Sequence, residues 1–114
     1  MTALRALLIL IWAILAGYTI IVIAKHGIGL LGIFFGDIVA MGWPGQFNLD
    51  FMFMLTLSAL WVAWRHHFSL VGVVLAILAL FGGSLFLTTY LLIVSWQVNG
   101  DMRQILIGKS RAAA

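Results

Sequence analysis

Long apolar runs separated by short polar breaks set the plan of this chain. Residues 6–24 carry no charge, and Lys25 closes the run. At about 1.5 Å per residue, a hydrocarbon core of about 30 Å needs about 20 helical residues. The run therefore predicts a first transmembrane helix over 6–24, with Trp12 and Tyr18 inside it. Arg5 before an apolar stretch also opens a signal peptide. This run is long for a signal core, however, and Lys25-His26 is no small-residue cleavage site, so the helix is read as retained.

The segment 28–43 is apolar but different in kind. Gly27 precedes it, Gly29, Gly32, Gly36 and Gly42 thread it, and Asp37 lies in its second half. A mid-membrane Asp costs about 3 kcal/mol, which predicts a short interfacial or re-entrant helix instead of a span. Leu30, Leu31, Phe34, Ile38 and Met41 recur at three- and four-residue steps. They give it one apolar face, with Asp37 facing out. Trp43-Pro44-Gly45 reads as a break.

A second span is predicted over 48–64, with Asn48 as N-cap and Asp50 in the first turn. Trp61, Trp64, Arg65, His66 and His67 mark its far interface. No charged residue occurs from Phe68 to Gly100. That predicts a third, longer span over 69–96, capped by Ser69 and stopped by Asn99-Gly100. A short tail helix over 101–107 comes next, capped by Asp101, and residues 108–114 read as frayed. The fold class is an all-α membrane protein: three transmembrane helices, with the short helix between the first two, in a single membrane domain over 1–114.

Composition supports that solvent assignment. Hydrophobic residues make up 65% of the 114 and charged residues 8%, where a soluble domain carries about a quarter charged. The six basic residues against three acidic ones lie near the ends of apolar runs. This suits lipid headgroups and not nucleic acid, which needs a clustered basic face. With no cysteine, disulfides and thiolate chemistry are excluded. Three full spans would put Arg5 and Arg65 on one side, and Lys25 with Arg103, Lys109 and Arg111 on the other. The charge count and the tight Arg65 turn then disagree about orientation; weight on the first helix and the turn favours a cytoplasmic N-terminus.

Few residues offer chemistry. His66 and His67 are candidate ligands for a pigment or haem, against a plain interfacial role. His26 and His66 end antiparallel spans, so they cannot share one haem within a protomer. Lys25, Asp37 and Asp50 form a candidate polar interfacial site for a proton or cation; otherwise Asp50 serves the helix terminus and Asp37 faces water. No metal site is expected, no cofactor is required, and no enzymatic nucleophile is expected among Thr56, Ser58, Ser84, Thr88, Thr89 and Ser95. The most regular pattern is a stripe of small residues, Gly72, Ala76, Ala79 and Gly83, with a shorter one at Ala13, Ala16 and Gly17. Such stripes let helix backbones approach closely in lipid. They serve either packing on each other or docking of a partner. Leu75 is placed on the lipid side.

From Phe34-Phe35-Gly36-Asp37 through Asn48-Leu49-Asp50-Phe51 to Trp64-Arg65, the arrangement resembles small uncharacterised bacterial three-helix membrane proteins. The resemblance implies a bacterial inner membrane and no particular activity. The sequence favours a non-catalytic accessory or structural subunit of a larger membrane complex, with a photosynthetic or respiratory assembly as natural host. Expected partners are membrane lipids and other integral membrane subunits, with lipid, quinone or pigment held at the seams. The alternatives are a small homo-oligomeric transporter or channel, and a pigment- or haem-binding subunit.

Overall fold

A computed structural model describes all 114 residues. The chain is all-helical: α1 (Thr2–His26), α2 (Leu30–Ala40), α3 (Trp43–Arg65), α4 (Leu70–Gln97), α5 (Met102–Ile107) and α6 (Lys109–Ala112). By total length and composition alone, three of these, α1, α3 and α4, are long and apolar enough to cross a membrane.

α1 begins before Arg5, because that residue is anchored and does not end the helix. Its Nε donates to Ser95 Oγ and its Nη2 to the Ser95 carbonyl, both at 3.0 Å. Gly27 ends the helix at φ 75°, its N–H bonded to the Ile23 carbonyl. Lys25 and His26 occupy the last turn, where the helix dipole favours positive charge.

α2 and α3 form an antiparallel pair joined by Met41-Gly42. Pro44 does not break the chain. It sits in the first turn of α3, with Gly42 as N-cap, where its missing N–H costs nothing. Gly45 is buried directly against the backbone of Asp37 and Ile38, so that a Cβ would overlap it. The helix thus starts five residues before Asn48, which is not a cap. Asn48 Nδ2 reaches back to donate to the Phe34 carbonyl (3.1 Å) and to Asp37 Oδ2 (3.4 Å), tying α2 to α3. Asp37 is half-buried against α3, contrary to the outward-facing placement expected of it.

The end of α3 is shaped by its last carbonyls. His67 takes φ 57°, its N–H bonds the Trp64 carbonyl, and the Phe68 N–H bonds the Ala63 carbonyl. This is a Schellman closure built on a non-glycine residue. Ser69 then caps α4, its Oγ accepting from the Gly72 N–H at 3.2 Å. Asn99 (φ 54°) and Gly100 repeat the closure at the far end of α4. Asp101 Oδ1 accepts from the N–H groups of Arg103 and Gln104 to start α5.

α4 is not the single straight span its hydropathy predicts. Gly83 stands at φ 56°, ψ −140° inside it, and the helix doubles back there. Gly72 is packed so tightly on His66 that a Cβ would come within 2.7 Å of the His66 Cβ. The His66 ring also hydrogen-bonds Tyr90 Oη at 2.7 Å. A straight helix would hold residues 72 and 90 about 27 Å apart, far beyond what those two side chains bridge. Val94 and Val98 share one buried cluster with Val62 of α3 and Ile105 of α5. The two arms, residues 70–82 and 84–97, are each only about 20 Å long.

Because α4 returns, its start, its end and the whole tail gather at the Arg65 end of α3. Gly100 lies against Met1. The expected placement of Arg103, Lys109 and Arg111 opposite Arg65 is therefore overturned. Five of the six basic residues, all but Lys25, belong to segments at one end of the bundle. The tail is ordered where fraying was expected: α6 is held by Arg111, which donates to the Trp64 carbonyl at 2.6 Å and stacks over the Trp64 ring at 3.8 Å.

Candidate functional site

The one strongly polar centre lies at that basic end. Arg65 occupies the last residue of α3 and is 9% exposed. Its Nε donates to the Ile105 carbonyl (2.7 Å), Nη2 to the Gln104 carbonyl (3.0 Å) and Nη1 to Tyr90 Oη (3.0 Å). The planar guanidinium fork suits this use, since it meets three acceptors at fixed angles. Two of the acceptors are carbonyls near the C-terminal end of α5, where partial negative charge collects. None is a carboxylate, so the guanidinium charge is solvated by dipoles without being neutralised.

Tyr90 links this arginine to His66. Its ring is buried between Trp61 (5.9 Å, edge-on) and Phe86 (5.7 Å, stacked), with the Arg65 guanidinium 5.8 Å from its centre. Such aromatic contacts fix ring position. Tyr90 Oη accepts from Arg65 and also lies 2.7 Å from His66 Nε2, where the imidazole tautomer sets which of the two groups donates. Partial burial pushes the His66 pKa below its ordinary value, and the charges of Arg65 and His67 push it the same way. His67 is exposed, and its Nε2 meets Ser110 Oγ at 2.7 Å. Both candidate pigment ligands thus have Nε2 engaged within the chain. A metal would have to displace those contacts or use Nδ1.

A cavity of about 510 Å³ opens beside this centre, lined by Arg65, His66, His67, Lys109, Ser110 and the Gln97–Val98 end of α4, with Gly108. Its wall holds cations and histidines and no carboxylate. The backbone of Gly108 passes close to Arg65, at φ 85°, a conformation suited to glycine.

The other residues singled out in the sequence fall elsewhere. Asp37 bonds Asn48, whereas Asp50 and Lys25 are exposed. No group of three His, Cys, Asp or Glu side chains converges anywhere in the chain. Of the small-residue stripe, Gly72 and Ala79 are buried and Gly83 approaches Phe51 and Leu55 of α3. Ala76 instead lines an open apolar groove with Ala59, Leu60 and Ala63. The shorter stripe is not brought to it: Ala13 and Gly17 are exposed, and nothing lies within 4 Å of where a Gly17 Cβ would stand. Leu75, expected on the lipid side, packs on the buried cluster.

Sequence reasoning missed Tyr90 and the α5 carbonyls, and it gave Trp61 and Ser95 no part in holding the basic end together. Tyr90 did carry a signal, being the only tyrosine in the charge-free stretch from Phe68 to Gly100. Its partners could not be inferred while α4 was read as one straight span. No family model, no curated protein and no solved structure matches the chain.

Proposed function

We propose that this chain is a non-catalytic accessory subunit of a larger membrane assembly, of the photosynthetic or respiratory kind. The observation that carries this reading is the free face of α1. Ala13 and Gly17 leave a shallow, open strip there, while Gly72 and Ala79 of the α4 stripe are buried and Gly83 packs on Phe51 and Leu55. A strip of small side chains that its own chain leaves uncovered suits close approach by a helix of another subunit. The polar interior is committed to structure as well: every buried side-chain nitrogen and oxygen has a hydrogen-bond partner within the chain.

In this reading the membrane is the bacterial inner membrane. α1 and α3 cross it, and α4 dips in and returns, since an arm of about 20 Å is short of the about 30 Å core. α2, at 11 residues, lies near the opposite interface. The end bearing Arg5, Arg65, Arg103, Lys109 and Arg111 faces the cytoplasm, as an excess of Lys and Arg favours.

Gentle solubilisation followed by native mass measurement tests the proposal. The expected result is co-migration with other integral membrane subunits, lost in a Gly17→Leu variant that keeps its own fold. A wild-type protein running as a monomer, or as a discrete homo-oligomer without partners, overturns it.

A further inference from the structure

The cavity at the basic end has a property that the packing role does not use. It is walled by a nine-tenths-buried arginine, a lysine and two histidines, and no acidic side chain answers them. Asp101, the only acid of the tail, is exposed and turned to the first N–H groups of α5.

The donors around the cavity are only partly used. A guanidinium has five N–H donors, and three of the Arg65 hydrogen bonds are accounted for within the chain. Two N–H groups remain. Lys109 is exposed at the rim, and Ser110 and His67 present a hydroxyl and an imidazole already paired with each other. A forked guanidinium with a nearby ammonium is the donor set that recognises a tetrahedral oxyanion. The volume, about 510 Å³, leaves room for substituents on that anion. The cavity also lies beside an aromatic rim. Arg111 covers Trp64 at 3.8 Å, and Arg5 lies 5.8 Å from the Trp96 ring centre. Tryptophans of this kind mark the headgroup level of a bilayer.

We infer that this cavity, walled by Arg65, His66, His67 and Lys109, binds a phosphate group, carried either by an anionic phospholipid or by a soluble phosphate. The buried guanidinium supplies fixed donors at the base. Lys109 supplies an adjustable charge at the mouth. Tail and α3 meet across the cavity, so an anion held there bridges Arg65 to the α6 segment. The inference does not depend on whether the chain belongs to a larger assembly.

The test uses the full chain, purified in mild detergent, in two arms. In one arm, native mass spectrometry follows binding of added phosphatidylglycerol, with phosphatidylcholine as the reference lipid. In the other, inorganic phosphate is titrated and read by ³¹P NMR line broadening. Each arm is repeated with Lys109→Gln, an exposed position that leaves the Arg65 network intact, and with Lys25→Gln at the far end of α1. The expected result is retained phosphatidylglycerol whose affinity falls by about fivefold in Lys109→Gln, the effect of one lysine near an anionic headgroup, and stays unchanged in Lys25→Gln. Phosphate binding with the same Lys109 dependence, and no preference for phosphatidylglycerol, assigns the site to a soluble phosphate and also supports the inference. Neither ligand retained, or equal losses in the two variants, overturns it.

Discussion

Gly83 decides whether α4 crosses the bilayer or returns, so its replacement gives a direct reading of the fold. A side chain at φ 56°, ψ −140° costs about 1–3 kcal/mol relative to glycine, and alanine favours continued helix by about 1 kcal/mol more. A Cβ there would also stand 3.2 Å from the Phe51 ring. Together Gly83→Ala biases the chain towards a straight α4 by about 2–4 kcal/mol, roughly 30- to 700-fold in the equilibrium between the two shapes. Against that bias stand the hydrogen bonds that exist only in the returned form: Arg65 and His66 to Tyr90, and Arg5 to Ser95. The chain has no cysteine, so paired cysteines at the exposed positions Val71 and Ile93 can be spin-labelled cleanly. A straight helix holds these sites about 33 Å apart. Pulsed electron resonance on the parent protein should find a distance well short of that, with a long-distance population growing in Gly83→Ala. A parent distance near 33 Å would refute the returning helix. An unchanged distribution in the variant would refute the role given to glycine.

Two further outcomes concern the basic end. Arg65→Lys keeps the charge but loses the fork, leaving at least two of three acceptors unmet at a cost of about 2 kcal/mol or more. Trypsin should then cut at Arg103, Lys109 and Arg111 more than about tenfold faster, and a rate equal to the parent's would show that Arg65 does not hold the tail. His66 is kept neutral by partial burial first, then by Arg65 and His67, so the unfolded chain binds the extra proton. Stability should be full above the ordinary value of 6.5 and fall as pH drops through the lowered folded-state value. Thermal unfolding in detergent between about pH 7.5 and about pH 5 should show that fall and a flatter profile in His66→Gln. Identical slopes would remove His66 as the responsible group.

Helix boundaries are legible in the sequence where backbone capping is local. Ser69, Asn99-Gly100 and Asp101 stop or start helices through their own side-chain or backbone geometry, which depends on neighbours within a few residues. Pro44 and Asn48 mislead for a related reason. A proline reads as a break or as a first-turn residue depending on whether the residues after it continue a helix. Asn48 serves α2 because the hairpin turn brings Phe34 and Asp37 to it. The candidate site is half legible. Arg65, His66 and His67 stand out as polar residues at an apolar end, whereas Tyr90 is obscured when the helix is taken as straight.

The sequence by itself determined the solvent and the material: apolar runs of sufficient length, almost no charge within them, and small residues that let helices pack closely. Hydropathy is additive along the chain, so these properties survive any arrangement of the helices. Only the tertiary structure decided direction. One glycine in a left-handed conformation sends the second arm of α4 back along the first. That turn gathers five cations at one end, gives Arg65 its acceptors, and leaves a cationic cavity between α3 and the tail. Hydropathy carries no sign for such a reversal, because a folded pair of short arms and one long span have the same composition.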